Sequence, residues 1–208
     1  MNKIVLFALL ITISLYSKAQ EVNVNETFDN VTEVKVNMVF SDVEIEAVPG
    51  NSVHVEGYVR YSNAKEEYEI KTYKKGTTLY VEVEHPNKSR GNASGKFHLK
   101  MPALTDADVN NVSGNIWVKG IGQKFVKLNT VSGEIRAEKI GSDFKGNTVS
   151  GDIEVADAKG NVNLNTISGD LTISNVDGNF KGSSISGDFR ITNLKGNREI
   201  STISGSVR

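Results

Sequence analysis

"NTVSGDIEVADAKGNVNLNTISGDLTISN", residues 147–175, says one phrase twice. Asn147-Thr148-Val149-Ser150-Gly151-Asp152-Ile153 returns eighteen residues later as Asn165-Thr166-Ile167-Ser168-Gly169-Asp170-Leu171. The Ser-Gly pair carries the period along the chain, at Ser94, Ser113, Ser132, Ser150, Ser168, Ser186 and Ser204, in steps of 19, 19, 18, 18, 18 and 18. A fixed period of this length marks a stacked-repeat architecture.

Set in register, apolar residues fall at places 4, 6, 9, 13, 15 and 18 of each unit. In the unit that starts at Ser150 these are Ile153, Val155, Ala158, Val162, Leu164 and Ile167. The i, i+2 steps are strand alternation, in which every second side chain points inward. The i, i+3 steps break the alternation and require a bend. Glycine opens each half-unit, as at Gly151 and Gly160, where a corner of positive φ would select it. A strand, a corner, a second strand and a second corner in eighteen residues describe one coil of a parallel β-solenoid. Equivalent residues then stack, Ile153 over Leu171 over Phe189, and each coil touches only its neighbours. Parallel connections favour a right-handed coil.

The register extends back through Val43, Ile45, Val48, Val53, Val55 and Tyr58, then Tyr68, Ile70, Tyr73, Leu79 and Val81, then Phe97, Leu99, Ala107, Val109 and Val112. The expectation is an all-β chain in which residues 20–208 form a single β-helix domain with two strands per coil. It would have about nine coils and a length of roughly 40 Å at the ~4.8 Å spacing of stacked strands. Residues 20–93 are its irregular part and 94–208 its regular part. Residues 20–30 are expected to cap the first coil. The polar stretch "EHPNKSRGNA", residues 84–93, with Pro86 and Gly91, is expected to project as a loop.

The opening "MNKIVLFALLITISLYSKAQ" has a basic start at Lys3, an apolar run from Ile4 and small residues at Ser17 and Ala19. That is the pattern of a secretory signal peptide over residues 1–19, and the run is shorter than the roughly 20 residues that span a bilayer. Loss of Lys3 and Lys18 leaves 22 basic against 25 acidic residues. This balance lacks the clustered basic surface that nucleic acid requires. With no cysteine, neither disulfides, a lipid-bearing cysteine nor a thiolate site is available. The chain is expected to be exported, to the periplasm, cell surface or exterior, with no transmembrane helix after cleavage.

The spaced motifs "SGNI" (113–116), "SGEI" (132–135) and "SGDI" (150–153) after a signal peptide, with the opening "VKVNMVFSDVEIEAVPGNSVHVEG" (34–57), resemble the bacterial "putative adhesin" family of β-strand-repeat proteins. The resemblance covers the chain beyond the signal segment. It implies a β-helix in the envelope or outside the cell, and it supplies no catalytic residues.

Place 3 of successive units holds Asn115, Glu134, Asp152, Asp170, Asp188 and Ser206. Stacked carboxylates about 4.8 Å apart repel by roughly 1 kcal/mol per pair in water, which a calcium ion at Glu134, Asp152, Asp170 and Asp188 would relieve. The calcium β-roll, however, has three glycines before its aspartate and one apolar place per half-unit. Here there are one glycine and three apolar places. The simpler account is that Asp or Asn after Gly closes the corner with its own backbone hydrogen bond, and no metal or cofactor is expected. Paired carboxylates also suit a polysaccharide-active enzyme, but residues present in every coil are explained by the coil, so no catalytic residue is expected.

His54 and His98 occupy outward places on separate coils and His85 lies in the loop. A stripe of Lys127, Lys145 and Lys181 at place 14, interrupted by Asn163 and Glu199, is expected to be a solubilising face. Trp117 takes an outward place between Ile116 and Val118; it is either covered by the 84–93 loop or free to stack on a sugar or anchor an interface. The expected function is that of a non-enzymatic, adhesin-like binding or scaffold protein that presents a long β-surface to a glycan or protein. The alternative is a periplasmic accessory or sensory protein that docks a membrane partner. The last unit stops at Arg208, five residues into a coil; such an open edge invites self-association or docking.

Overall fold

A computed structural model describes residues 20–62, 67–84 and 92–208. Residues 1–19, expected to be a signal peptide, His85 and most of the expected projecting loop lie outside these. Among the described residues every regular element is a strand, and no helix is long and apolar enough to cross a membrane. The fold is all-β, and the described residues build two nine-stranded sheets that face each other across one continuous apolar core.

The regular part begins with β8 (Asp106–Asn110) and β9 (Ile116–Lys119), numbering the strands in chain order. The pairs β10 (Phe125–Asn129) and β11 (Ile135–Glu138), β12 (Asp143–Asn147) and β13 (Ile153–Ala158), β14 (Val162–Asn165) and β15 (Leu171–Val176), and β16 (Phe180–Ser186) and β17 (Phe189–Leu194) follow, and β18 (Arg198–Ser204) comes last. Odd strands from β9 to β17 stack parallel in one sheet (A), even strands from β8 to β18 in the other (B). The register is the repeat itself, with Ile153 beside Leu171 and Leu171 beside Phe189. Inward residues at places 4, 6, 9, 13 and 15 are buried, as Ile153, Val155, Ala158, Val162 and Leu164 show.

Place 18 departs from expectation. Val112, Val131, Val149, Ile167 and Ile185 are 43–48% exposed and Ile203 is 83% exposed. Strand alternation carries on past place 15, so place 17 turns inward instead, with Thr130, Thr148, Thr166 and Ser184 all buried. The corner comes two residues later, at the Ser-Gly pair.

The two corners use glycine differently. At the first, Gly151, Gly169 and Gly187 have φ of 145°, 148° and 159°, as positive φ demands. At the second, positive φ belongs to Lys139, Asp157, Asn175 and Asn193, at 53–57°, mostly the Asn and Asp that tolerate this region. Gly160, Gly178 and Gly196 serve there by lacking a Cβ, which would lie 2.2–2.6 Å from the backbone of the coil before.

The N-terminal third does not stack in chain order. β2 (Glu33–Asn37) and β3 (Ser41–Ala47) lie directly beside β8 and β9, in parallel. On their other side are β6 (Thr78–Glu84) and β7 (Ala93–Met101). β5 (Glu69–Lys75) pairs antiparallel with β6, and β4 (Ser52–Tyr61) antiparallel with β7 and β1 (Gln20–Asp29). β4 runs straight where a bend was expected. Its buried residues are Val53, Val55, Gly57, Val59 and Tyr61, with Tyr58 facing out, because Gly57 leaves room for the Phe97 ring, 2.4 Å from where its Cβ would sit. The outermost strand, β1, reaches across to β5 through Glu26 with Thr72 and a Lys74 Nζ bond to the Asp29 carbonyl of 2.6 Å, closing that end.

Candidate functional site

The corner ladder at place 3 resolves into hydrogen bonds between coils. Asp152 Oδ1 accepts the Asp170 N–H at 2.8 Å, Asp170 Oδ1 the Asp188 N–H at 2.8 Å, and Asp188 Oδ1 the Ser206 N–H at 2.8 Å. Asn115 Oδ1 accepts from Glu134 N–H at 2.9 Å, and Asp42 Oδ1 from Asn115 N–H at 2.8 Å. Each side chain thus bonds the backbone of the next coil rather than its own, a correction to the expected corner closure. The cause is the stacking distance, which brings the next N–H within reach of a short carboxylate. The bond from the Ser206 backbone N–H holds the Asp188 carboxyl below its ordinary value. Among the described residues no group of three or more His, Asp or Glu side chains gathers around a common point. The buried carboxylate of Asp106 is taken up by the backbone N–H groups of Gln123, Lys124 and Phe125, at 2.9, 2.8 and 3.2 Å.

The place-14 stripe is partly paired, Lys127 with Asp108 at 3.5 Å and Lys181 with Glu199 at 2.6 Å. His54 Nδ1 lies 3.0 Å from Thr27 Oγ1, and His98 Nε2 lies 3.0 Å from Glu46 Oε1. These two histidines stand on different strands with different partners.

Trp117 lines a surface depression of about 230 Å³. β9 alternates Ile116 and Val118 into the core, leaving the indole on the outer face of sheet A, half-buried. The register sets Glu44 of β3 on one side and Arg136 of β11 on the other. Ile45, Glu46, Val118, Lys119 and Glu138 complete the lining. Arg136 Nε donates to Glu134 at 2.7 Å and lies 3.6 Å from Glu154; the Glu134 bond and charge raise its already high pKa. Lys119 lies 3.1 Å from Glu138. The indole Nε1 is shielded and has no hydrogen-bond partner. The depression is below the roughly 300–1,000 Å³ of enclosed small-molecule pockets, so it suits a flat ligand laid across it.

Arg136 was within reach of sequence reasoning, since it holds the place of Trp117 one unit later. Glu44 and Glu46 were not. They lie 73 residues from their β9 partners Trp117 and Lys119, and only the insertion of β2 and β3 beneath the first regular layer brings them there.

Comparisons with known proteins now bear on this geometry. Residues 31–208 match the family pattern described as Toastrack DUF4097. A search of the curated proteins found no match. The chain is similar to the crystal structure of a "putative adhesin" from Bacteroides fragilis, with TM-score 0.52 and 10% identity, over 90% of this chain and 96% of that one. A "putative cell adhesion protein" from Clostridium sporogenes aligns with TM-score 0.38 and 13% identity over 92% and 100% of the two chains. A "putative lipid binding protein" from Parabacteroides distasonis aligns with TM-score 0.34 and 15% identity over 92% and 96%. The Bacteroides likeness establishes a shared fold. Neither the family nor these neighbours bears the name of an enzyme.

Proposed function

The chain belongs to the Toastrack DUF4097 family, and from that premise we propose that it is a non-enzymatic, exported binding or scaffold protein of adhesin type. Its ligand is a glycan or protein segment laid across the outer face of sheet A at Trp117. The observation that carries this reading is the half-buried indole on the outer face of sheet A, flanked by Glu44 and Arg136. An aromatic face with a carboxylate acceptor and a guanidinium donor beside it is what an uncharged polyhydroxyl ring requires, stacking for its apolar face and hydrogen bonds for its hydroxyls. The names of the Bacteroides and Clostridium neighbours agree with an adhesive role.

A glycan and matrix-protein screen with Trp117→Ala and Arg136→Ala tests the site. The expected result is a ligand whose binding falls at least tenfold in Trp117→Ala with the fold unchanged. Equal binding by all three proteins would discard this face. Antibody labelling of intact against permeabilised cells tests the location. Labelling of intact cells supports adhesion, and labelling only after permeabilisation redirects the reading to a periplasmic accessory protein.

A further inference from the structure

The six place-18 residues form a ridge that the core does not explain. Val112, Val131, Val149, Ile167, Ile185 and Ile203 are aliphatic in each of the six regular coils, yet all are exposed. At the spacing of stacked strands the ridge is about 24 Å long. Hydrogen bonds between coils hold it, Ser132 N–H to the Val112 carbonyl at 2.8 Å, Ser150 N–H to Val131 at 2.9 Å, Ser168 N–H to Val149 at 3.0 Å and Ser186 N–H to Ile167 at 2.9 Å. It is therefore a rigid row.

Its flanks are uncharged. Place 16 holds Asn110, Asn129, Asn147, Asn165, Ser183 and Ser201, and the Ser-Gly serines run along the other side. Across these three rows and six coils no charged residue occurs, in a chain that is 24% charged. An apolar row with a neutral polar rim marks an interaction surface rather than a solvated one.

The same chemistry selects the occupant. No Lys or Arg stands in these rows to meet anionic lipid headgroups, and no aromatic ring to stack a sugar. A ridge with the period of stacked strands meshes along its length only with a partner of equal period, and a second copy of this chain has it. The amide and hydroxyl rows bear both donors and acceptors, so they complement themselves when one copy is turned against the other.

We propose that this ridge is a self-association surface, on which two copies pack antiparallel about a two-fold axis, Val149 and Ile167 near the axis and Val112 toward the partner's Ile203. The band is smaller than the roughly 800 Å² per partner of a standard stable interface, so the dimer is weak and reversible. This surface lies at a corner of the solenoid, apart from the Trp117 face, and its fate is independent of that reading.

Sedimentation of the purified protein into the hundreds of micromolar is the first test. A mass rising reversibly toward that of a dimer, and staying monomeric in Val149→Lys and in Ile167→Lys with melting unchanged, is the expected result. A second readout is cross-linking. The chain has no cysteine, so Ile167→Cys should form an intermolecular disulfide faster than Ser174→Cys on the sheet A face, whether or not the lysine variants fold. A protein monomeric throughout, a dimer indifferent to the lysines, or equal rates for the two cysteines would overturn the proposal. Binding to phosphatidylcholine–phosphatidylglycerol vesicles that is lost in Ile167→Lys, without any dimer, would overturn it in favour of a lipid surface.

Discussion

Gly169 and Thr166 stand three residues apart and show how closely the repeat constrains single side chains. Gly169 has φ of 148°, and a Cβ there would lie 2.0 Å from the Gly151 carbonyl oxygen. Both the conformation and the space exclude a side chain. Gly169→Ala is expected to lower stability by about 3 kcal/mol, the upper range for local backbone strain, as urea melts would record. Gly50 separates the two effects, because φ is 139° but nothing lies within 4 Å of a Cβ. Gly50→Ala should cost only the conformational part, about 1–2 kcal/mol. Thr166 works in the opposite sense. It is buried, and its hydroxyl has no hydrogen-bond partner. Thr166→Val replaces that hydroxyl with a methyl of the same shape and is expected to raise stability by about 1 kcal/mol. A fall in melting temperature would show that the hydroxyl is satisfied.

Between coils, the strands are tied by ladders of identical side chains as well as by the backbone. Asn165 Nδ2 donates to Asn147 Oδ1 at 2.8 Å, Asn147 to Asn129 at 2.7 Å, Asn129 to Asn110 at 2.9 Å and Asn110 to Asn37 at 3.2 Å. Asn147→Ala removes two of these bonds at once, and a loss of about 1–2 kcal/mol is expected at the usual net value of such bonds. Core size is also balanced within a strand. Coils with Phe144 or Phe180 at place 13 have Gly146 or Gly182 at place 15, while Val162 is followed by Leu164. A Cβ on Gly182 would lie 2.5 Å from the Phe189 ring and 2.6 Å from the Phe180 ring. The carboxylate ladder adds a dependence on pH. The carboxyl of Asp188 is depressed from its ordinary value by the hydrogen bond from the Ser206 N–H. A depressed folded pKa contributes stability above the unfolded value, and loses it as pH falls through the folded one. Thermal melts should be level above about pH 5 and decline below about pH 4. Asp188→Asn retains the acceptor for the Ser206 N–H and should make that decline shallower; an unchanged profile would assign it to other carboxylates.

At the scale of the molecule, the layer formed by β2 and β3 is clamped between β6 with β7 and β8 with β9. Val34, Val36, Val43 and Ile45 of this layer are all at most 1% exposed. Deleting residues 150–167 removes one whole period and rejoins equivalent positions, so the shortened chain is expected to fold cooperatively with a lower melting temperature, as repeat proteins do. Deleting residues 31–48 should abolish cooperative unfolding, because it removes a middle layer rather than an end. Had the coils stacked in chain order, both deletions would merely shorten the protein. The sequence by itself determined the all-β class, the eighteen-residue coil and five of its six inward places, since a strand buries every second residue and a stacked repeat multiplies that signal from Ile135 to Phe189. Tertiary structure alone decided the insertion of β2 and β3, the straightness of β4 and the outward turn of Val149 and Ile167. Aliphatic side chains at a corner carry the same hydrophobic signal whether they face the core or another molecule, and only the backbone path settles which. The placing of Glu44 beside Trp117 depends likewise on a pairing across 73 residues, a distance at which no local periodicity can register.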